Sequence, residues 1–219
     1  MSNGNRTSIS TGLFDELVCR GAGFVQIVNG PDPSVQVVGS AEAQDRVRIR
    51  TRGMRVVIAF RIGADPLRAM TESRGRPGVV VTVDSISRIH VQGFCTVRLG
   101  SEDHPLTLGE TTLIHGGVGI VSGNVSADRL IVRNRGHGQV QLAGDVQWLD
   151  IINRGIRTLD CSELVAQRAK ATVSNVGKID LMVLDELSAR VDGIGGVTYR
   201  GDPIVYRRGG GMGRLDKVT

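Results

Sequence analysis

The sequence predicts an all-β chain of the β-solenoid class, and three observations predict it. Apolar residues alternate with a period of two, helical periodicity is nearly absent, and a Gly-x-Gly-x-aliphatic pattern recurs at near-constant spacing in the second half. Period-two alternation sends successive side chains to opposite faces of a strand. It runs through Phe24-Val-Gln-Ile-Val28, Ser34-Val-Gln-Val-Val38, Val47-Arg-Ile-Arg-Thr51, Val56-Val-Ile-Ala-Phe60 and Val79-Val-Val-Thr-Val83, with Gly or Pro between runs. Residues 1–10 read as a flexible N-terminal tail and 11–219 as a single solenoid domain with an N-terminal β segment. Residues 62–78 are the one long polar interruption and read as a surface loop.

Over 89–215 the pattern repeats seven times, at Gly93-Phe-Cys-Thr-Val97, Gly117-Val-Gly-Ile-Val121, Gly136-His-Gly-Gln-Val140, Gly155-Ile-Arg-Thr-Leu159, Asn175-Val-Gly-Lys-Ile179, Gly193-Ile-Gly-Gly-Val197 and Gly211-Met-Gly-Arg-Leu215. The starting residues are 24, 19, 19, 20, 18 and 18 apart. One such unit is too short to bury a core, whereas stacked units pile their aliphatics into a continuous interior. Neighbouring units then pair at about 4.8 Å, and seven make a rod on the order of 30 Å long. Val121, Val140, Leu159, Ile179 and Val197 are expected in one internal row. Gly93, Gly117, Gly119, Gly136, Gly138, Gly155, Asn175, Gly177, Gly193, Gly195, Gly211 and Gly213 are expected at corners, where only Gly, and less easily Asn, takes a positive φ cheaply.

Composition narrows the function classes. Aromatics are 3% of the chain, so the core must be Val, Ile, Leu and Ala. The net charge of +5 is carried by arginine, since only Lys170, Lys178 and Lys217 are lysine. The arginines are scattered and alternate with apolar residues, as in Arg46-Val-Arg-Ile-Arg-Thr-Arg52, the look of a wet strand face. Single-stranded nucleic-acid platforms need stacking aromatics as well, so nucleic acid is not an expected partner. Cys19, Cys95 and Cys161 are far apart and odd in number, which reads as buried free thiols rather than a disulfide framework or a zinc site. No apolar run reaches the ~20 residues of a membrane span. The glycines of Gly116-Gly-Val-Gly-Ile-Val-Ser-Gly123 precede no helix pattern, so they are not a dinucleotide loop.

The motifs together resemble the family described as "putative auto-transporter adhesin, head GIN domain". The residues that carry the resemblance are Phe14-Asp-Glu-Leu-Val18 and Val25-Gln-Ile-Val-Asn-Gly30 at the start, the successive Gly-x-Gly-x-aliphatic units, and Tyr199-Arg-Gly-Asp-Pro203 followed by Gly210-Gly-Met-Gly213. The resemblance spans residues 12–215. It implies a single-stranded right-handed parallel β-helix at the bacterial cell surface or in the periplasm, with no catalytic residues. Two features depart from the family. The opening MSNGNRTSIS carries no apolar leader, which keeps a cytoplasmic location open. And where the family has a small polar residue between the two glycines, this chain has Phe94, Val118, His137, Ile156, Val176, Ile194 and Met212, six of the seven apolar.

That column is the candidate site. If strand alternation passes unbroken through the glycines, the seven side chains point outward as an apolar ridge, the kind of patch that marks an interface. If the second glycine resets the phase, they point inward and are core. A second column follows the aliphatic, with Arg98, Ser122, Gln141, Asp160, Asp180, Thr198 and Asp216. There Asp160 and Asp180 would be neighbours about 5 Å apart, a separation used by retaining glycosidases. The four histidines share no column. Arg200-Gly-Asp202 sits where Gly and Pro serve a turn. The expected function is a non-catalytic surface or envelope interaction module that self-associates, without cofactor or metal, with a glycan or a surface protein as the other partner. The alternatives are a filament-forming β-helix and a glycan-active enzyme using Asp160 and Asp180.

Overall fold

The computed structural model describes residues 6–10, 12–61, 78–101 and 103–218. The loop expected at 62–78 therefore lies outside the described residues except for Gly78. The first part of the chain carries β1 (Arg6–Ser10), β2 (Glu16–Arg20), β3 (Phe24–Asn29), β4 (Ser34–Val38), a helical turn α1 (Ala41–Asp45), β5 (Val47–Arg52), β6 (Arg55–Phe60) and β7 (Gly78–Val83). Then come β8 (Arg88–Val91), β9 (Thr96–Leu99), β10 (Leu106–His115), β11 (Ile120–Asn134), β12 (Gln139–Asn153), β13 (Leu159–Val173), β14 (Lys178–Val191), β15 (Gly196–Arg200), β16 (Ile204–Arg208) and β17 (Arg214–Lys217). All the strands join one sheet. The expected tail at 1–10 needs correction, because residues 6–10 are strand β1, antiparallel to β4. The polar Arg6-Thr-Ser-Ile-Ser10 has too little apolar alternation to betray a strand; its pairing comes from the exposed edge of β4.

From β8 onward every pairing is parallel and joins a strand to its equivalent one unit later. β10, β11, β12, β13 and β14 follow one another in the sheet, and β15, β16 and β17 close it. The consequence is side-chain rows that run across the strands. Val25, Val97, Val121, Val140, Leu159, Ile179, Val197 and Leu215 are successive partners in the register. All but Leu215 are fully buried. A second row on the other arm of the long strands contains Leu113, Val132, Ile151, Ala171 and Ala189. Each buried Val, Leu or Ile contributes about 1.5–3 kcal/mol against the unfolded chain. The antiparallel pairs β1–β4, β4–β7 and β5–β6 are confined to the N-terminal end.

The glycine columns exist for a reason other than the expected one. Of the twelve corner positions only Gly93 has a positive φ, 73°. Asn175 has none, since no residue other than glycine does among those described. What the remaining glycines share is absence of room. A Cβ on Gly117 would land on the Gly93 carbonyl, on Gly136 the Gly117 carbonyl, on Gly119 the Cys95 carbonyl, and on Gly195 the Gly177 carbonyl. At these glycines each backbone lies against the one before it, and an added Cβ would force the layers apart, whereas Cys95, Arg157 and Asn175 carry side chains at the equivalent places of their units. The left-handed glycines mark other bends, such as Gly144 at 109° and Gly201 at 93°.

The same register extends one unit further back. Phe94 donates its N–H to the Gly21 carbonyl at 2.7 Å and Thr96 to the Gly23 carbonyl at 2.9 Å. Gly21-Ala-Gly-Phe-Val25 thus sits under Gly93–Val97 in the same pattern, and the ring of Phe60 fills the place a Gly23 side chain would take.

A buried polar line threads the apolar interior. His115, Asn134 and Asn153 are register partners and fully buried. The Nδ2 of Asn134 donates to Oδ1 of Asn153 at 3.0 Å, and Oδ1 of Asn134 lies 3.0 Å from Nδ1 of His115. Asn153 ends the line by donating to the carbonyls of Arg157 at 2.8 Å and Lys178 at 2.9 Å, while its Oδ1 accepts the Gly155 N–H at 3.0 Å. Burial pushes the His115 imidazole below its ordinary value, opposed by the Asn134 contact.

Candidate functional site

The outward reading of the column holds. At Gly117-Val-Gly-Ile-Val121 alternation runs without a break through both glycines, Gly117, Gly119 and Val121 facing inward and Val118 and Ile120 outward, whereas Arg157 and Asn175, which take glycine places in later units, are themselves exposed. Phe94, Val118, Ile156, Val176, Ile194 and Met212 are all exposed apolar side chains, from 36% for Phe94 to 84% for Met212. His137 is exposed in the same position. Backbone hydrogen bonds stack the positions directly, Val118 N–H to Gly93 C=O at 2.8 Å and His137 N–H to Gly117 C=O at 3.0 Å. Exposed Arg135, Arg154 and Arg157 border the ridge at its centre. An apolar strip with a charged rim is the anatomy of a protein interface.

The register brings the second column together as well. Arg98, Ser122, Gln141, Asp160, Asp180, Thr198 and Asp216 are consecutive partners, and Asp160 lies beside Asp180. The Asp160 carboxylate accepts the Ser162 hydroxyl at 2.7 Å and the Ser162 N–H at 3.1 Å, which ties it into its own turn. Register shifts fall beside this column, between Gln141 and Ala143 and between Cys161 and Val165.

The other singled-out residues are scattered. Arg200-Gly-Asp202 joins β15 to β16, and its Asp202 carboxylate pairs with Lys217, which holds it below the usual carboxylate range. The thiols of Cys19, Cys95 and Cys161 are free and buried, and burial pushes Cys95 up to about 12. No group of three or more His, Cys, Asp or Glu positioned to hold a metal occurs among the described residues. No described helix is long and apolar enough to cross a membrane.

Two elements escaped sequence reasoning. Ala22, half-buried, occupies the ridge position of the Gly21–Val25 unit. The Gly-x-Gly-x-aliphatic signal was present there, but 72 residues separate Gly21 from Gly93 and hide the period. The polar line was readable too: Asn134 and Asn153 each stand two residues before the first glycine of a unit.

Comparison with known proteins agrees with this geometry. The family model for "putative auto-transporter adhesin, head GIN domain" matches residues 13–203. A crystal structure called a putative adhesin from Bacteroides fragilis superposes with a TM-score of 0.85 at 17% identity, covering 100% of this chain and 98% of that one. A putative adhesin from Parabacteroides merdae gives 0.65 at 14% identity, covering 99% and 96%. A protein from Parabacteroides distasonis, called a putative lipid binding protein, gives 0.62 at 17% identity, covering 99% and 97%. No curated protein matches. At these identities the structures speak for the fold alone; the family model speaks for membership, and the chain belongs to the "putative auto-transporter adhesin, head GIN domain" family.

Proposed function

We propose that the chain winds as a single-stranded right-handed parallel β-helix and serves as a non-catalytic interaction module of the bacterial cell surface or envelope, self-associating through the Phe94–Met212 ridge. The observation that carries the reading is the exposure of all seven side chains of one register column, six of them apolar. Monomeric surfaces seldom keep such a strip in water. A two-fold contact suits it. Ile156 is the fourth of the seven positions, so a dyad there pairs Phe94 with the partner's Met212 and Val118 with the partner's Ile194. A thioether against an aromatic ring is a favourable contact. Family membership supports the envelope location and the absence of catalytic residues.

The test is the double variant Ile156→Ser/Ile194→Ser in sedimentation velocity. Both residues are exposed, so stability should change by less than ~0.5 kcal/mol per site and the β circular dichroism should persist. The wild type is expected to sediment as an assembly and the variant as the 23.4 kDa monomer. A wild type that stays monomeric up to high concentration, or a variant that assembles as well as the wild type, contradicts the proposal.

A further inference from the structure

A polar groove of about 770 Å³ lies along the row that follows the internal aliphatics, and nothing in the ridge reading uses it. Its floor is the Arg98, Ser122, Gln141 and Asp160 row, and Ser101 and Asp103 of the turn after β9 form one wall. Glu163 stands at the far end, where the register between β12 and β13 shifts. Bulges of this kind gather beside binding sites because they re-aim side chains.

Three features define what fits. First, the floor groups repeat once per strand, at about 4.8 Å, across four successive strands. A ligand matching them lies across the strands and offers one polar unit per rung. One pyranose of an extended β-1,4-linked chain has close to that length, whereas an extended peptide advances by ~3.3 Å per residue and falls out of step with the rungs. Second, the row passes from a donor-only guanidinium through a hydroxyl and an amide that do both to an acceptor-only carboxylate. Hydroxyls that donate and accept satisfy every member of such a series. Third, Asp103, Asp160 and Glu163 outnumber Arg98, which disfavours phosphates and uronates. The Ser162 hydrogen bonds hold the Asp160 carboxylate in a fixed orientation before any ligand arrives.

We propose that this groove is a second binding site, for a neutral, extended β-1,4-linked hexose or N-acetylhexosamine chain running across the strands. No aromatic side chain lines it among the described residues, so binding rests on hydrogen bonds and is weak, with a Kd on the order of 1 mM. The proposal is independent of the ridge.

The test is titration calorimetry of the full chain with cellotetraose, chitotetraose and tetragalacturonate. Saturable binding of at least one neutral tetramer is expected, with the uronate weaker. Gln141→Ala, at an exposed position, is expected to weaken it about fivefold, the factor of one lost hydrogen bond. Ser122→Arg, which fills the middle of the groove, is expected to abolish it; should that variant misfold, the Gln141 variant decides. Ile156→Ser/Ile194→Ser is expected to bind as the wild type does. No binding of either neutral tetramer, tighter binding of the uronate, or wild-type binding by the Gln141→Ala chain overturns the proposal.

Discussion

Gly119→Ala is expected to destabilise the chain by about 3 kcal/mol, on the order of 10 °C in Tm. The added Cβ falls on the carbonyl and amide of Cys95, which are backbone atoms with no rotamer to escape into. Relief requires lifting β11 away from β9, and the row Val97–Val121 is fully buried between them. Gly109→Ala is the matched control. A Cβ at Gly109, within β10, meets nothing within 4 Å and its φ is not positive. That variant should stay within ~0.5 kcal/mol of the wild type. Urea unfolding of the pair checks the account of the glycine columns. Equal stability of the two variants would mean that the close approach of backbones is not what keeps glycine at position 119.

Asn153→Leu is expected to cost about 4 kcal/mol in spite of adding an apolar group to an apolar interior. The side chain makes four hydrogen bonds, with Asn134 Nδ2, the Gly155 N–H and the carbonyls of Arg157 and Lys178. The leucine leaves four polar groups without that partner, and an orphaned buried group costs more than a formed hydrogen bond yields. Amide exchange gives the local readout: the Gly155 N–H should lose protection ahead of neighbouring strand amides. A cost below ~1 kcal/mol, or unchanged exchange at Gly155, would show that the polar line adds nothing to the interior.

Much of the arrangement was legible in the sequence because it depends on spacing. The aliphatics of the Gly-x-Gly-x-aliphatic units are paired neighbours in the sheet, so spacing alone implies one row of the register. The direction of the ridge was not legible. Outward and inward readings differ only in whether alternation survives the two glycines, and glycine has no side chain to reveal which way it faces. The role of those glycines was misjudged for a related reason: a sequence shows that a side chain is missing, not whether torsion or crowding excluded it. The strand at 6–10 was invisible because its partner supplies the reason for it. The adjacency of Asp160 and Asp180 was correctly read, but the Ser162 turn that binds Asp160 depends on a local register shift that spacing does not reveal.

The central claim is that each unit of about nineteen residues lies directly on the one before it, from Phe94 to Met212. Pulsed electron resonance between nitroxides at Phe94→Cys and Met212→Cys tests it most directly. The native thiols do not compete for label, since Cys19, Cys95 and Cys161 are buried and burial raises all three. Six steps of about 4.8 Å predict one narrow intramolecular distance of ~29 Å, measured in chains diluted with unlabelled protein. A broad distribution, or a mean far from that value, would contradict the stacking on which the ridge, the groove and the glycine columns all rest.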